Sequence, residues 1–130
     1  MRLCATALLF LSLLSGHLTA QQKAKPEEVW DPYRAEKSIE IGRYYLKKGN
    51  YDAAIDRFLE AIHYRSDYAL PRRLLAEAYE KKGEKQLAIE AYTKYLEILP
   101  QAEDAEKVRK KIRQLEKELA EQKRQRKKSE

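Results

Sequence analysis

The chain has 130 residues, 37% of them charged and 43% hydrophobic, with a formal net charge of +6. Four glycines and four prolines are too few for a turn-rich β domain, and the charge density suits long helices with solvated faces. One cysteine, Cys4, excludes a disulfide framework, so the fold must hold by packing.

The N-terminus reads as a secretory signal peptide, residues 1–20. Met1-Arg2 gives a positive start, residues 3–14 are nearly all apolar, and Leu18-Thr19-Ala20 places a small residue before a cut at Gln21. An apolar run of about 12 residues is short of the roughly 20 that a spanning helix needs, which weighs against an uncleaved anchor. Cys4 lies before the apolar run rather than at its end, so it is not read as a lipidation site. The expectation is an exported, periplasmic protein that begins at Gln21 and has lost the charge of Arg2 and its only thiol.

Residues 21–30 lack periodicity and read as a linker. Five helices follow. Asp31 caps the first, Pro32 suits its first position, and Gly49 ends it in the left-handed conformation, giving a helix over 32–48. Trp30 is expected to staple onto the first turn or to shield the end of the molecule. Asn50 or Asp52 caps the second helix, over 51–64. Ser66-Asp67 caps the third, which carries Pro71 in its first turn and stops at Gly83. The fourth covers 85–99 and Pro100 ends it. The fifth runs from about 102 to 122.

Apolar residues recur at steps of three and four: Ile41, Tyr44, Tyr45 and Leu46; Ala54, Ile55, Phe58, Leu59 and Ile62; Leu74, Leu75, Ala78 and Tyr79; Leu87, Ala88, Ala91, Tyr92 and Tyr95. The fifth helix has a narrower stripe, Ala105, Val108, Ile112, Leu115 and Leu119, which suits a C-terminal helix capping the preceding pair.

Two segments align on each other at an offset of 34 residues: Ile41-Gly42-x-x-Tyr45 over Leu75-Ala76-x-x-Tyr79, Lys47-Lys48-Gly49 over Lys81-Lys82-Gly83, Ala54 over Ala88 and Phe58 over Tyr92. That is the period of a helix–turn–helix repeat. The aligned positions resemble the tetratricopeptide repeat family, with units at 35–68 and 69–102. Ile41, Gly42, Tyr45, Ala54, Phe58 and Ala61 carry the hallmark sites of the first unit. Leu75, Ala76, Tyr79, Ala88, Tyr92 and Pro100 carry those of the second. Ser38 and Arg72 stand where the family has a large aromatic, Tyr95 where it has a small alanine, and Ser66 where it has the first terminal proline. The fold expected is all-α: two repeats, a capping helix over 103–122 and a basic tail over 123–130.

The resemblance implies a non-catalytic module that binds a protein or peptide on a concave face. Its geometry places Glu36, Ile39, Glu40, Arg43, Leu46 and Lys47 of the first unit there. Leu70, Arg73, Leu74, Glu77, Glu80 and Lys81 join them from the second. Arg43, Lys47, Arg73 and Lys81 then form a clamp for an acidic side chain or terminal carboxylate, with Leu46, Leu70 and Leu74 supplying apolar contact. The same positions are also what ordinary solvated faces and partial core would carry. The stretch from Asp31-Pro32-Tyr33-Arg34-Ala35-Glu36 through Gly42-Arg43-Tyr44-Tyr45 to Arg57-Phe58 also resembles the first repeat of the tetratricopeptide repeat lipoprotein family of the bacterial outer-membrane β-barrel assembly machine. That family has about five repeats and a lipidated cysteine after its signal.

Nothing in the chain converges as catalytic machinery does. After the signal peptide one histidine remains, His63, at a helix end and without a second ligand at metal spacing. Glu77 and Glu80 share a helical face without marks of an acid–base pair. There is no glycine-rich phosphate loop. The reading is therefore no enzyme, no cofactor and no metal. The tail cations Lys123, Arg124, Arg126, Lys127 and Lys128 read either as a solvated helix end or as a binder of anionic membrane surfaces or acidic partners. No aromatics interleave with them, and nucleic acid is not expected.

Overall fold

The computed structural model describes residues 29–129; the expected signal peptide and most of the expected linker lie outside them. Five helices follow in order: α1 (Pro32–Lys47), α2 (Tyr51–Tyr64), α3 (Ala69–Lys82), α4 (Lys85–Ile98) and α5 (Ala105–Ser129). Among the described residues there is no strand. α1 pairs with α2 and α3 with α4, α3 packs against α2, and α5 against α4.

The ends form as the local chemistry dictates. The Asp31 carboxylate accepts the Arg34 N–H at 3.0 Å, and the Asn50 side chain accepts the Ala53 N–H at 3.2 Å. Each satisfies a first-turn donor that has no partner inside its helix. Gly49 and Gly83 hold φ of 74° and 87°, the left-handed region that a side chain resists.

Three boundaries differ from the sequence expectation. Tyr68, not Ser66 or Asp67, sits at the N-cap of α3, and its side chain makes no cap bond. Asp67 instead accepts from the Arg65 guanidinium at 3.3 Å. α5 begins three residues later than expected, because 100–104 form turns in which the Arg109 guanidinium donates to the Pro100 carbonyl at 2.8 Å. It also continues to Ser129, so the basic run read as a tail forms its last turns.

Gly42 and Phe58 set the spacing of the first pair. A Cβ at Gly42 would stand 2.5 Å from the Phe58 ring, inside any real contact, so only glycine lets α1 lie on that ring. Phe58 is fully buried. Ala76 over Tyr92 takes the equivalent positions in the second pair, both buried. Around them Ile55, Ala61, Leu75, Ala88, Ala91 and Tyr95 complete one core, which Val108 and Leu115 of α5 extend.

The buried stripe of α1 is rotated from the expected one. Ala35, Ser38, Ile39 and Gly42 are buried, and Tyr44 is 60% exposed. Leu59 and Leu87 are also exposed, at 45% and 40%. Ser38 replaces a large aromatic at no polar cost, because its hydroxyl donates to Glu60 at 2.9 Å and Glu60 accepts from Arg57 at 2.8 Å. Trp30 is neither a staple nor a buried shield. It is 58% exposed, with the Arg65 guanidinium over its ring at 5.5 Å; the same guanidinium lies 4.4 Å from the Tyr68 ring.

Candidate functional site

The first helices of the two pairs, α1 and α3, line one side of the molecule, and α5 continues the row. Between α1, the start of α2 and α3 lies a cleft of about 420 Å³, lined by Arg43, Leu46, Lys47, Gly49, Tyr51, Glu77 and Lys81. A neighbouring cleft of about 330 Å³ lies between α3 and α5, lined by Arg73, Glu77, Glu80, Lys81, Tyr92, Lys107 and Lys111. Glu77 and Lys81 face both. The two clefts therefore adjoin at these two side chains and together form a channel-like face across three helices. A third cleft of about 350 Å³ at the start of α3 takes in Leu70, Tyr68 and Arg73.

The structure brings together most residues of the expected groove and removes six from free use. Ile39 and Leu74 are 2% and 5% exposed and belong to the core, so neither offers apolar contact to a partner. The reason is the rotation of the buried stripe noted for α1 and the seating of α3 against its neighbours. Arg73 is engaged by Asp104 at 3.6 Å. Glu80 is engaged twice, accepting from Lys111 Nζ at 2.8 Å and from the Tyr92 hydroxyl at 3.1 Å. On α1, Glu36 accepts the Tyr68 hydroxyl at 2.7 Å, and Glu40 accepts from Lys37 on its own helix at 3.1 Å. What remains is a set of cations, Arg43, Lys47 and Lys81, with no ion pair among the described residues, beside half-buried Leu46 and Glu77.

Sequence reasoning missed Tyr51, Lys107 and Lys111. The signal for the two lysines was present. Applying the 34-residue offset a second time carries Arg73 onto Lys107 and Glu77 onto Lys111, and Leu74 and Ala78 onto Val108 and Ile112. α5 thus stands in the place of the first helix of a third unit. It buries Val108 where α3 buries Leu74, and it presents Lys107 and Lys111 to the groove.

Burial and carboxylate neighbours keep two phenols protonated at this junction. The Tyr92 hydroxyl is pushed well above its usual range by burial first, then by the charge of Glu80 and the hydrogen bond to it. Burial, then the 2.5 Å hydrogen bond to Asp104, pushes Tyr95 up to about 12 from the usual 10. The neutral form of Tyr95 therefore contributes stability in full below about pH 10, where the unfolded phenol begins to titrate, and that contribution fades as pH rises through 12. Thermal melts between pH 9 and about 12 should fall more steeply for the parent chain than for Tyr95→Phe, and parallel slopes would contradict this.

A family model described as Tetratricopeptide repeat matches residues 39–103, half of the chain. The chain belongs to the tetratricopeptide repeat family. The match runs from the middle of α1 through α4 and so takes in parts of both helix pairs of the fold. A search of curated proteins returns no match. Tetratricopeptide repeats are in general protein-interaction modules that present concave surfaces built from stacked helices. Among the described residues no cluster of histidine, cysteine or carboxylate side chains has the makings of a metal site. His63 lies exposed at the end of α2, beside the Tyr64 ring.

Proposed function

We propose that this tetratricopeptide repeat protein is a non-catalytic adaptor that captures an acidic side chain or terminal carboxylate of a protein partner in the channel between α1, α3 and α5. It works in the cell envelope, in the assembly of outer-membrane proteins. One observation carries the binding reading. Arg43, Lys47 and Lys81 converge on one cleft without ion-pair partners among the described residues, beside Leu46. Cations left unpaired around a concave, partly apolar surface favour an anionic group with a hydrophobic neighbour. Arg73 and Glu80 act differently from the free cations: their bonds to Asp104 and Lys111 fix the floor between α3 and α5. The envelope setting is supported by the signal-like start of the sequence and by the likeness of residues 31–58 to the first repeat of the assembly-machine lipoproteins.

The test is capture of the partner by purified variants. Arg43→Ala with Lys81→Ala should weaken capture by roughly tenfold per residue, the scale of a charge-assisted hydrogen bond, with an unchanged helical signal. Deleting residues 123–130 should have a smaller effect at physiological salt, where exposed charges are screened over about 8 Å. Loss of capture from the deletion alone, with the double variant binding normally, would overturn the groove reading.

A further inference from the structure

α5 carries the whole of the excess positive charge of the described chain, the rest of which is slightly acidic. It holds eleven lysines and arginines against four glutamates, whereas the rest of the described chain holds thirteen cations against fourteen carboxylates. The positions of these cations are not random around the helix. Ala105, Val108 and Leu115 are buried toward α4, with Ile112 and Leu119 half-buried beside them. Away from that side, Lys110, Arg113, Lys117, Arg124 and Lys128 follow at steps of three, four, seven and four, and all are exposed. Such steps keep them on one face, and at 1.5 Å per residue the row is about 27 Å long.

The repeat register says what this face replaces. Lys110 stands where Gly42 and Ala76 stand in the first two units, and Arg113 where Tyr45 and Tyr79 stand. In those units the small residue and the tyrosine receive the unit's own second helix. In α5 the same face has no second helix and is basic. A terminal helix needs a polar outer face to stay soluble, and residues of mixed sign meet that need. Here Glu106 is taken up by Arg109 at 3.6 Å and Arg113 at 3.3 Å, Glu116 flanks the row, Glu121 between Lys117 and Arg124 is the one other carboxylate in it, and from Gln122 to Ser129 there is no carboxylate.

We infer that the outer face of α5 is a docking surface for an anionic lipid bilayer, used while the groove on the other side of the helix holds the protein partner. The chemistry of the face selects this occupant. α5 contains no aromatic residue, so nothing stacks on bases. Ala120 is the one apolar residue along the row, so the face lacks the buried anchors around which protein interfaces form. A straight row of cations without anchors suits a plane of mobile anionic headgroups, on which the helix rests without inserting. No helix among the described residues is long and apolar enough to cross a membrane. The inference rests on α5 alone and leaves the groove reading independent of it.

The experiment is flotation of the full chain with vesicles of phosphatidylglycerol and phosphatidylcholine, against a variant carrying Lys110→Gln, Lys117→Gln, Arg124→Gln and Lys128→Gln. Each basic residue near an anionic surface strengthens binding about fivefold, so the parent should exceed the variant by at least about a hundredfold. The gap should close on pure phosphatidylcholine and in about 1 M salt, where the screening length is about 3 Å. Arg43→Ala with Lys81→Ala should float as the parent does, so failure here and failure of the groove are told apart. Equal binding by parent and quadruple variant would overturn the inference. So would a gap that persists on neutral vesicles, or tighter binding to single-stranded DNA or polyglutamate than to the anionic vesicles.

Discussion

Truncation after Pro100 should abolish cooperative thermal unfolding of the chain. α5 buries Ala105, Val108 and Leu115 and half-buries Ile112 and Leu119 against the second repeat. Burying a Val, Leu or Ile side chain stabilises by about 1.5–3 kcal/mol, and that figure is an upper estimate because the unfolded chain is itself partly compact. The sum over this face approaches the roughly 5–15 kcal/mol that holds a whole domain. The cut also strips Tyr95 of Asp104 and Glu80 of Lys111, leaving a half-buried carboxylate without its cation. Two repeats are fewer than the three units that stacked helices normally need, and α5 supplies the missing half-unit. Ending the chain after Leu119 instead should leave the melting temperature nearly unchanged, since residues 120–129 are all exposed. Circular dichroism of both truncations gives the comparison, and a sharp, unshifted melt for the shorter chain would show that the repeats stand alone.

Phe58→Ala should be the most damaging single substitution in the first pair. The ring is fully buried and lies directly under Gly42, whose missing side chain exists to admit it. A Phe→Ala change in a core costs about 3–5 kcal/mol, from lost transfer free energy and from the cavity left behind. Each kcal/mol shifts the midpoint of a domain of this size by about 4–8 °C, so the melt should fall by at least about 12 °C. Replacing Gly42 by leucine in the same chain should not recover the loss, because the new side chain would leave the α1 backbone from a different point than the ring filled. A fall of less than about 1 kcal/mol by chemical denaturation would mean that the first pair repacks freely.

The architecture was legible because it depends on local and repeated signals. Asp31, Asn50, Gly49 and Gly83 mark ends with side-chain oxygens and left-handed backbone that act within a few residues. The offset that places Gly42 with Phe58 and Ala76 with Tyr92 then dictates how the pairs close. The groove was legible in position and less so in composition. Helical spacing fixes which residues share a face but not the rotation of that face by one residue, so Tyr44 was read as core while Ser38, satisfied by Glu60, took the place. Ile39 moved inward for the same reason, whereas Leu74 lies in the apolar stripe expected of α3 and is buried with it. The occupation of Arg73 and Glu80 depends on Asp104 and Lys111, each 31 residues away along the chain, and no local pattern carries that information. Ser66 and Asp67 looked like caps by residue type, yet Asp67 was claimed by Arg65. The narrow apolar stripe of α5 marks a covering helix and no more. The register that makes it a third first-helix lies in the offset applied twice.

The proposed adaptor role requires that the channel across α1, α3 and α5 receive an anionic segment. The most direct measurement is an NMR titration of the isotope-labelled chain with a short acidic peptide that has an apolar residue beside a free C-terminal carboxylate. Amide shifts should concentrate at Arg43, Leu46, Lys47, Lys81 and Lys107, should saturate, and should be lost in Arg43→Ala with Lys81→Ala. Shifts confined to the α5 end, at Lys123, Arg124, Arg126, Lys127 and Lys128, with the groove amides unmoved, would contradict it.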